Sequence, residues 1–89
     1  MKRLLRQANY DYESTYYVVA YLYTNYTGIM DDLSTNDWSA VEEFAHEHLY
    51  KGNLIEIVNN ETGASVRLNP DEYFEDFNGE FPVKSWDLE

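Results

Sequence analysis

Cysteine is absent from the chain. No disulfide can staple it, no thiolate can act as a nucleophile, and no cysteine-ligated zinc site can form. The absence suits a reducing compartment, and a cytoplasmic location is expected. Glycine and proline are scarce, at four and two residues. The glycines are scattered, so no glycine-rich loop cradles a phosphate. No run approaches the ~20 apolar residues of a membrane span, and the basic start, Met1 to Arg6, is not followed by an apolar stretch of signal-peptide length. Positive charge is the scarcest property of all. Six bases face seventeen acids, giving a net charge of −11. Lys2, Arg3 and Arg6 crowd the start and Lys84 lies near the end, so only Lys51 and Arg67 oppose the fifteen acids between Gln7 and Val83. Such a field repels nucleic acid and anionic membrane and attracts basic surfaces.

High charge usually signals disorder, but 44% apolar and 17% aromatic residues argue for a folded body. The 89 residues make one acidic α+β domain over residues 1–89. The expected architecture is a small antiparallel sheet of three to four strands, packed with one main helix and a short second helix. Residues 1–13 have no settled period, and a first strand there is the weaker expectation. Thr15 to Tyr23 is the clearest strand, β-branched and aromatic throughout. Alternation sends Tyr16, Val18, Ala20 and Leu22 to one face and Tyr17, Val19, Tyr21 and Tyr23 to the other. The second set carries three phenols, whose hydroxyls prefer water or a partner. They belong to a binding surface unless a second layer covers them.

Asn25 to Asn36, with Gly28 and Asp31-Asp32, reads as a loop. A helix over residues 37–50 follows from Trp38, Val41, Phe44, Ala45, His48 and Leu49, which recur at helical spacing. Leu54–Val58 and Ala64–Leu68 form a hairpin, with Gly63 at the left-handed position of its turn. Asn69 caps a short helix that begins at Pro70 and reaches about Phe77, where Asn78-Gly79 stops it. Phe81, Pro82, Val83 and Trp86 form a last extended segment against the core. The Asn25-Tyr26-Thr27 and Asn60-Glu61-Thr62 sequons read as turns.

Few residues carry chemistry. His46 and His48 point about 200° apart on a helix and cannot chelate one ion together. Glu42 and His46 share a face, but two ligands fall short of a zinc site. His48 lies on the apolar stripe and is expected to make one hydrogen bond in the core. Asp76-Phe77-Asn78-Gly79-Glu80 resembles part of a calcium loop, yet Phe74 and Ser85 stand where carboxylates are required. No catalytic residue, metal or cofactor is expected. Base stacking on the tyrosines is not expected either, because single-strand binders set their aromatics in a positive groove.

The remaining feature is the carboxylate cluster Asp71, Glu72, Glu75, Asp76 and Glu80. Asp71 and Glu72 suit a helix N-terminus. Glu75 and Asp76 stand four residues beyond them, so both pairs repel. Glu43 and Glu47 repeat the like-charge spacing on the longer helix. A basic partner that supplies the missing counter-charge accounts for this pattern; solubility alone is the plainer alternative. The partner-binding set is therefore Asp71, Glu72, Glu75, Asp76, Glu80, Glu43, Glu47, Tyr17, Tyr21 and Tyr23.

In size, charge, aromatic richness and clustered carboxylates, the chain resembles the small acidic phage-encoded inhibitors of the anti-CRISPR and DNA-mimic class. The resemblance implies a non-catalytic inhibitor whose carboxylates stand in for phosphates on a CRISPR effector such as a Cas9-type nuclease. Its partner would be a basic nucleic-acid-handling protein, with no direct binding of nucleic acid or membrane. An immunity protein or antitoxin against a nuclease toxin has the same physics. An accessory protein of incidental acidity, monomer or homodimer through its tyrosines, is the third class.

Overall fold

The computed structural model describes residues 11, 13–23, 25–76, 78 and 80–89. The expected first strand lies almost wholly outside them. In chain order the elements are β1 (Tyr16–Tyr23), β2 (Thr27–Thr35), α1 (Trp38–Tyr50), β3 (Leu54–Asn59), β4 (Ser65–Leu68) and α2 (Pro70–Glu75), followed by a 3-10 turn over Ser85–Leu88. They build an α+β fold around one antiparallel sheet of order β2-β1-β3-β4.

β1 is central, which explains its continuous aromatic and aliphatic run. Tyr16 through Tyr21 are all buried, at both phases of the alternation. Tyr16, Val18 and Ala20 join Ile55, Ile57 and Leu68 beneath α1, which contributes Val41, Ala45 and Leu49. Tyr73 of α2 and the C-terminal Val83 and Leu88 close the same core. Tyr17, Val19, Tyr21 and Leu54 form a second cluster, against which Tyr26 and Ile29 pack. Leu22 departs from its expected core face and is exposed, because it stands at the strand's end beyond the last core contact.

The segment expected to be a loop, residues 25–36, contains a nine-residue strand instead. Only Asn25 and Tyr26 among its first residues turn the chain, and Tyr26 does so at φ 61°. β2 pairs with β1 through a bulge: Ala20 faces Asp31 but Tyr21 faces Ile29, leaving Met30 as the extra residue. The acidic pair that suggested a turn is accepted in the strand because each carboxylate meets a donor. The Tyr17 hydroxyl donates to Asp32 at 2.7 Å, and His48 Nε2 lies 3.4 Å from Asp31 Oδ2.

α1 starts where Asp37 accepts from the Ser39 N–H and ends at Tyr50, with Lys51 as its C-cap just before Gly52. Its stripe is rotated slightly from expectation. Val41, Ala45, His48 and Leu49 are buried, whereas Trp38 and Phe44 only flank the core. Phe44 instead packs its ring on His48, with centroids 4.5 Å apart. The β3–β4 hairpin forms as expected, with Gly63 at φ +81° donating its N–H to the Asn59 carbonyl. α2 is capped by Asn69, which accepts from the Asp71 N–H at 2.8 Å. It stops at Glu75, short of the expected Phe77, and Phe77 lies outside the described residues. The last segment is not wholly extended. Its anchor is buried Leu88, whose carbonyl accepts from the Thr62 hydroxyl, while Trp86 stands exposed.

Candidate partner-binding surface

The second face of the sheet does not present its tyrosines. Tyr17 and Tyr21 are 4% and 5% exposed. Both hydroxyls are engaged within the fold, Tyr17 by Asp32 and Tyr21 by Glu56. Burial, then the bond to Glu56, pushes the Tyr21 phenol far above its ordinary range. Glu56 also faces Arg67 across β3 and β4, with Nε 3.4 Å from Oε2. The Arg67 guanidinium in turn lies over the Tyr26 ring, 4.4 Å from its centroid. These groups hold one another, so the sequence-based placement of Tyr17 and Tyr21 at a binding surface is corrected. Of the three expected phenols only Tyr23 is open, at 61% exposure.

A different set of aromatics reaches solvent where α2 crosses α1. Pro70 and the Asn69 cap start α2 directly after β4, and its apolar side falls on the C-terminal half of α1. Tyr73 is buried there and shares a hydrogen bond with His46 Nδ1. Burial, with a smaller push from the Glu42 charge, raises the Tyr73 phenol above its ordinary range. Phe74 sets its ring edge-on to Tyr50 at 5.6 Å, and His46 stacks behind Tyr50 at 6.0 Å. Tyr50 is 74% exposed and Phe74 37%. The register brings Tyr21 to Leu54 and Ile55 to Leu68, so the end of α1, the start of α2 and the β1–β2 turn with Tyr23 all lie at one end of the sheet.

The carboxylates surround this seam in three shallow depressions. Asp71, Glu72, Glu75 and Asp76 line one with Asn69, about 410 Å³ in volume. Glu42, Glu43 and Glu80 line a second of about 490 Å³, with His46, Tyr73 and Phe81. Glu80 therefore joins the α1 acids and not the α2 group with which the sequence placed it. Between α1 and α2 a third, of about 340 Å³, joins Tyr50 and Phe74 to Asp71, Asn69, Pro70 and Gly52.

Among the described residues, no base pairs with Asp71, Glu72, Glu75, Asp76, Glu80 or Glu43. Glu47 differs, because Lys51 Nζ lies 3.4 Å from its carboxylate one turn on. That i,i+4 spacing was visible in the sequence and removes Glu47 from the unrelieved set. Glu42 accepts from the Trp38 indole at 2.9 Å. The sequence places Phe74 with Tyr73 and Phe77 on the apolar side of the short helix and assigns Tyr50 no role, so neither is expected at the surface. The available signal was position: Tyr50 sits beside, not on, the apolar stripe of α1.

Among the described residues, no three His, Asp or Glu side chains converge as metal ligands do, and no helix is long and apolar enough to cross a membrane. No family model, curated protein or solved structure matches the chain.

Proposed function

We propose that this is a non-catalytic inhibitor that seats its acidic end on the basic surface with which a nuclease or other nucleic-acid-handling protein grips nucleic acid, in the manner of an anti-CRISPR protein. One observation carries the reading: Asp71, Glu72, Glu75 and Asp76 stand together with no base among the described residues, beside exposed Tyr50 and Phe74. Asp71 and Glu72 suit the first turn of α2, but Glu75 and Asp76 at its end, one turn from them, do not serve stability. They do serve as stand-ins for a phosphate row, steering a basic partner and orienting it, while the aromatics supply anchoring contact area.

The test is competition. The protein is titrated into a Cas9-type effector holding labelled target DNA and, in parallel, into basic nuclease toxins holding theirs. Displacement that weakens as salt rises from 0.05 to 0.3 M on the order of tenfold supports the reading, since such charges are screened beyond about 10 Å at 0.1 M. Displacement from a toxin alone makes it an immunity protein. A complex that leaves the nucleic acid bound, or salt-independent binding, refutes the mimicry.

A further inference from the structure

We infer that the depression between the end of α1 and the start of α2 is a seat for an arginine side chain of the partner, with Tyr50 as its stacking ring and Asp71 as its carboxylate. The inference rests on the function proposed above and names the partner chemistry the site takes.

Three observations lead to it. Tyr50, Phe74 and Asp71 line one depression, with Gly52 and Pro70 completing its wall. Tyr50 is the most exposed of the large hydrophobic side chains among the described residues, yet its ring is held from two sides, edge-on by Phe74 and by His46 stacked behind it. Neighbours on two sides narrow the positions open to the ring, so less side-chain freedom is lost on binding. Asp71 sits in the first turn of α2, where the Asn69 side chain accepts from its backbone N–H, and its side chain is exposed on the wall of the depression with no base paired to it among the described residues.

The molecule shows in itself what such a pair accepts. Arg67 lays its guanidinium 4.4 Å from the centre of the Tyr26 ring while its Nε reaches Glu56 at 3.4 Å. A tyrosine face and a carboxylate thus already hold an arginine on the sheet. The α1/α2 depression presents the same two groups, and no described base occupies it. Arginine suits it better than lysine: the planar guanidinium stacks on an aromatic ring and forks onto a carboxylate, whereas the ammonium is a compact, strongly hydrated point charge.

Labelled nona-arginine and nona-lysine peptides, equal in charge, separate this inference from the reading beneath it. The full chain is titrated with each at low salt, beside Tyr50→Leu, which keeps an apolar side chain at an exposed position. Nona-arginine should bind at least about fivefold tighter than nona-lysine, and Tyr50→Leu should remove the preference while leaving nona-lysine binding in place. Equal binding of the two peptides overturns the arginine seat and leaves the acidic surface standing. A preference that survives Tyr50→Leu moves it away from this ring and overturns the assignment. Failure of both peptides to bind removes the proposed function as well. Self-association that Tyr50→Leu relieves, seen by light scattering, would give the depression to a second copy and overturn the inference. Asp71→Asn keeps the size of the side chain and should weaken nona-arginine more than nona-lysine; an equal loss for both would strip Asp71 of its assigned role.

Discussion

The Tyr21 hydroxyl donates a 2.8 Å hydrogen bond to Oε1 of Glu56, although the residue facing Tyr21 across the strands is Leu54. The bond is diagonal, and it ties the central strand to β3 on the face away from α1. Burial, the bond itself and the nearby negative charge all hold the phenol above its ordinary 10.0.

A phenol raised in the folded state favours folding fully below the unfolded value, and the contribution is lost as pH climbs past it. Stability should therefore fall above pH ~10. Tyr21→Phe should cost about 1.5–3 kcal/mol at neutral pH, the worth of a hydrogen bond to a charged group, and should make the alkaline loss shallower. Urea unfolding of both proteins at pH 7 and at pH ~11 checks both statements. Equal stability at pH 7 would show that the hydroxyl adds nothing.

Leu49 and Phe44 give opposite weights to the two sides of α1. Leu49 is fully buried, whereas Phe44 only flanks the core. Leu49→Ala should cost about 2–5 kcal/mol and can unfold a chain this small, while Phe44→Ala should cost clearly less. Denaturant midpoints decide; the reverse order would mean that the helix is rotated from the phase seen here.

Gly28 sits at φ +70°, and a Cβ there would come within 2.8 Å of the Tyr23 ring. The exposed ring can swing aside, but the backbone conformation remains unfavourable for any L side chain. Gly28→Ala should cost about 1–2 kcal/mol, read as a fall in Tm, and should disturb Tyr23. An unchanged Tm would show that the β1–β2 turn relaxes freely.

Glu75 and Asp76 close α2, where negative charge opposes the helix dipole. The double change Glu75→Gln, Asp76→Asn should leave Tm equal or raise it by roughly 1–4 °C. The same variant should lose ~tenfold or more in the competition assay if those carboxylates are desolvated against basic side chains. Full competition by the variant would reduce the acidity to a matter of solubility.

Elements whose signal is local were readable from the sequence. The β1 run, the α1 stripe, the Gly63 turn and the Asn69-Pro70 helix start all carry their cause within a few residues. β2 does not. Its Gly28 and Asp31-Asp32 are turn residues by composition, and the acidic pair is accepted in the strand where Tyr17 and His48 meet the carboxylates from other elements. The same reason hid the burial of Tyr17 and Tyr21: alternation gives a side chain its face, but their partners, Asp32 and Glu56, lie 15 and 35 residues away. For the candidate surface, the acidic helix was legible from spacing alone. Its aromatic component was not, because the exposure of Tyr50 and Phe74 depends on where α2 comes to rest.

The central place of β1 also sets an order of events for the folding chain. Its first edge is met early, by β2 after a short turn, whereas its second waits until residues 54–59 have been made and returned across α1. A chain that has grown only to the end of the helix holds its most apolar strand with one side unpaired. Bringing residue 59 back to residue 16 closes the longest loop among these strand pairings. That closure, and not the turn that precedes it, is the expected slow step, made shorter when the helix docks first.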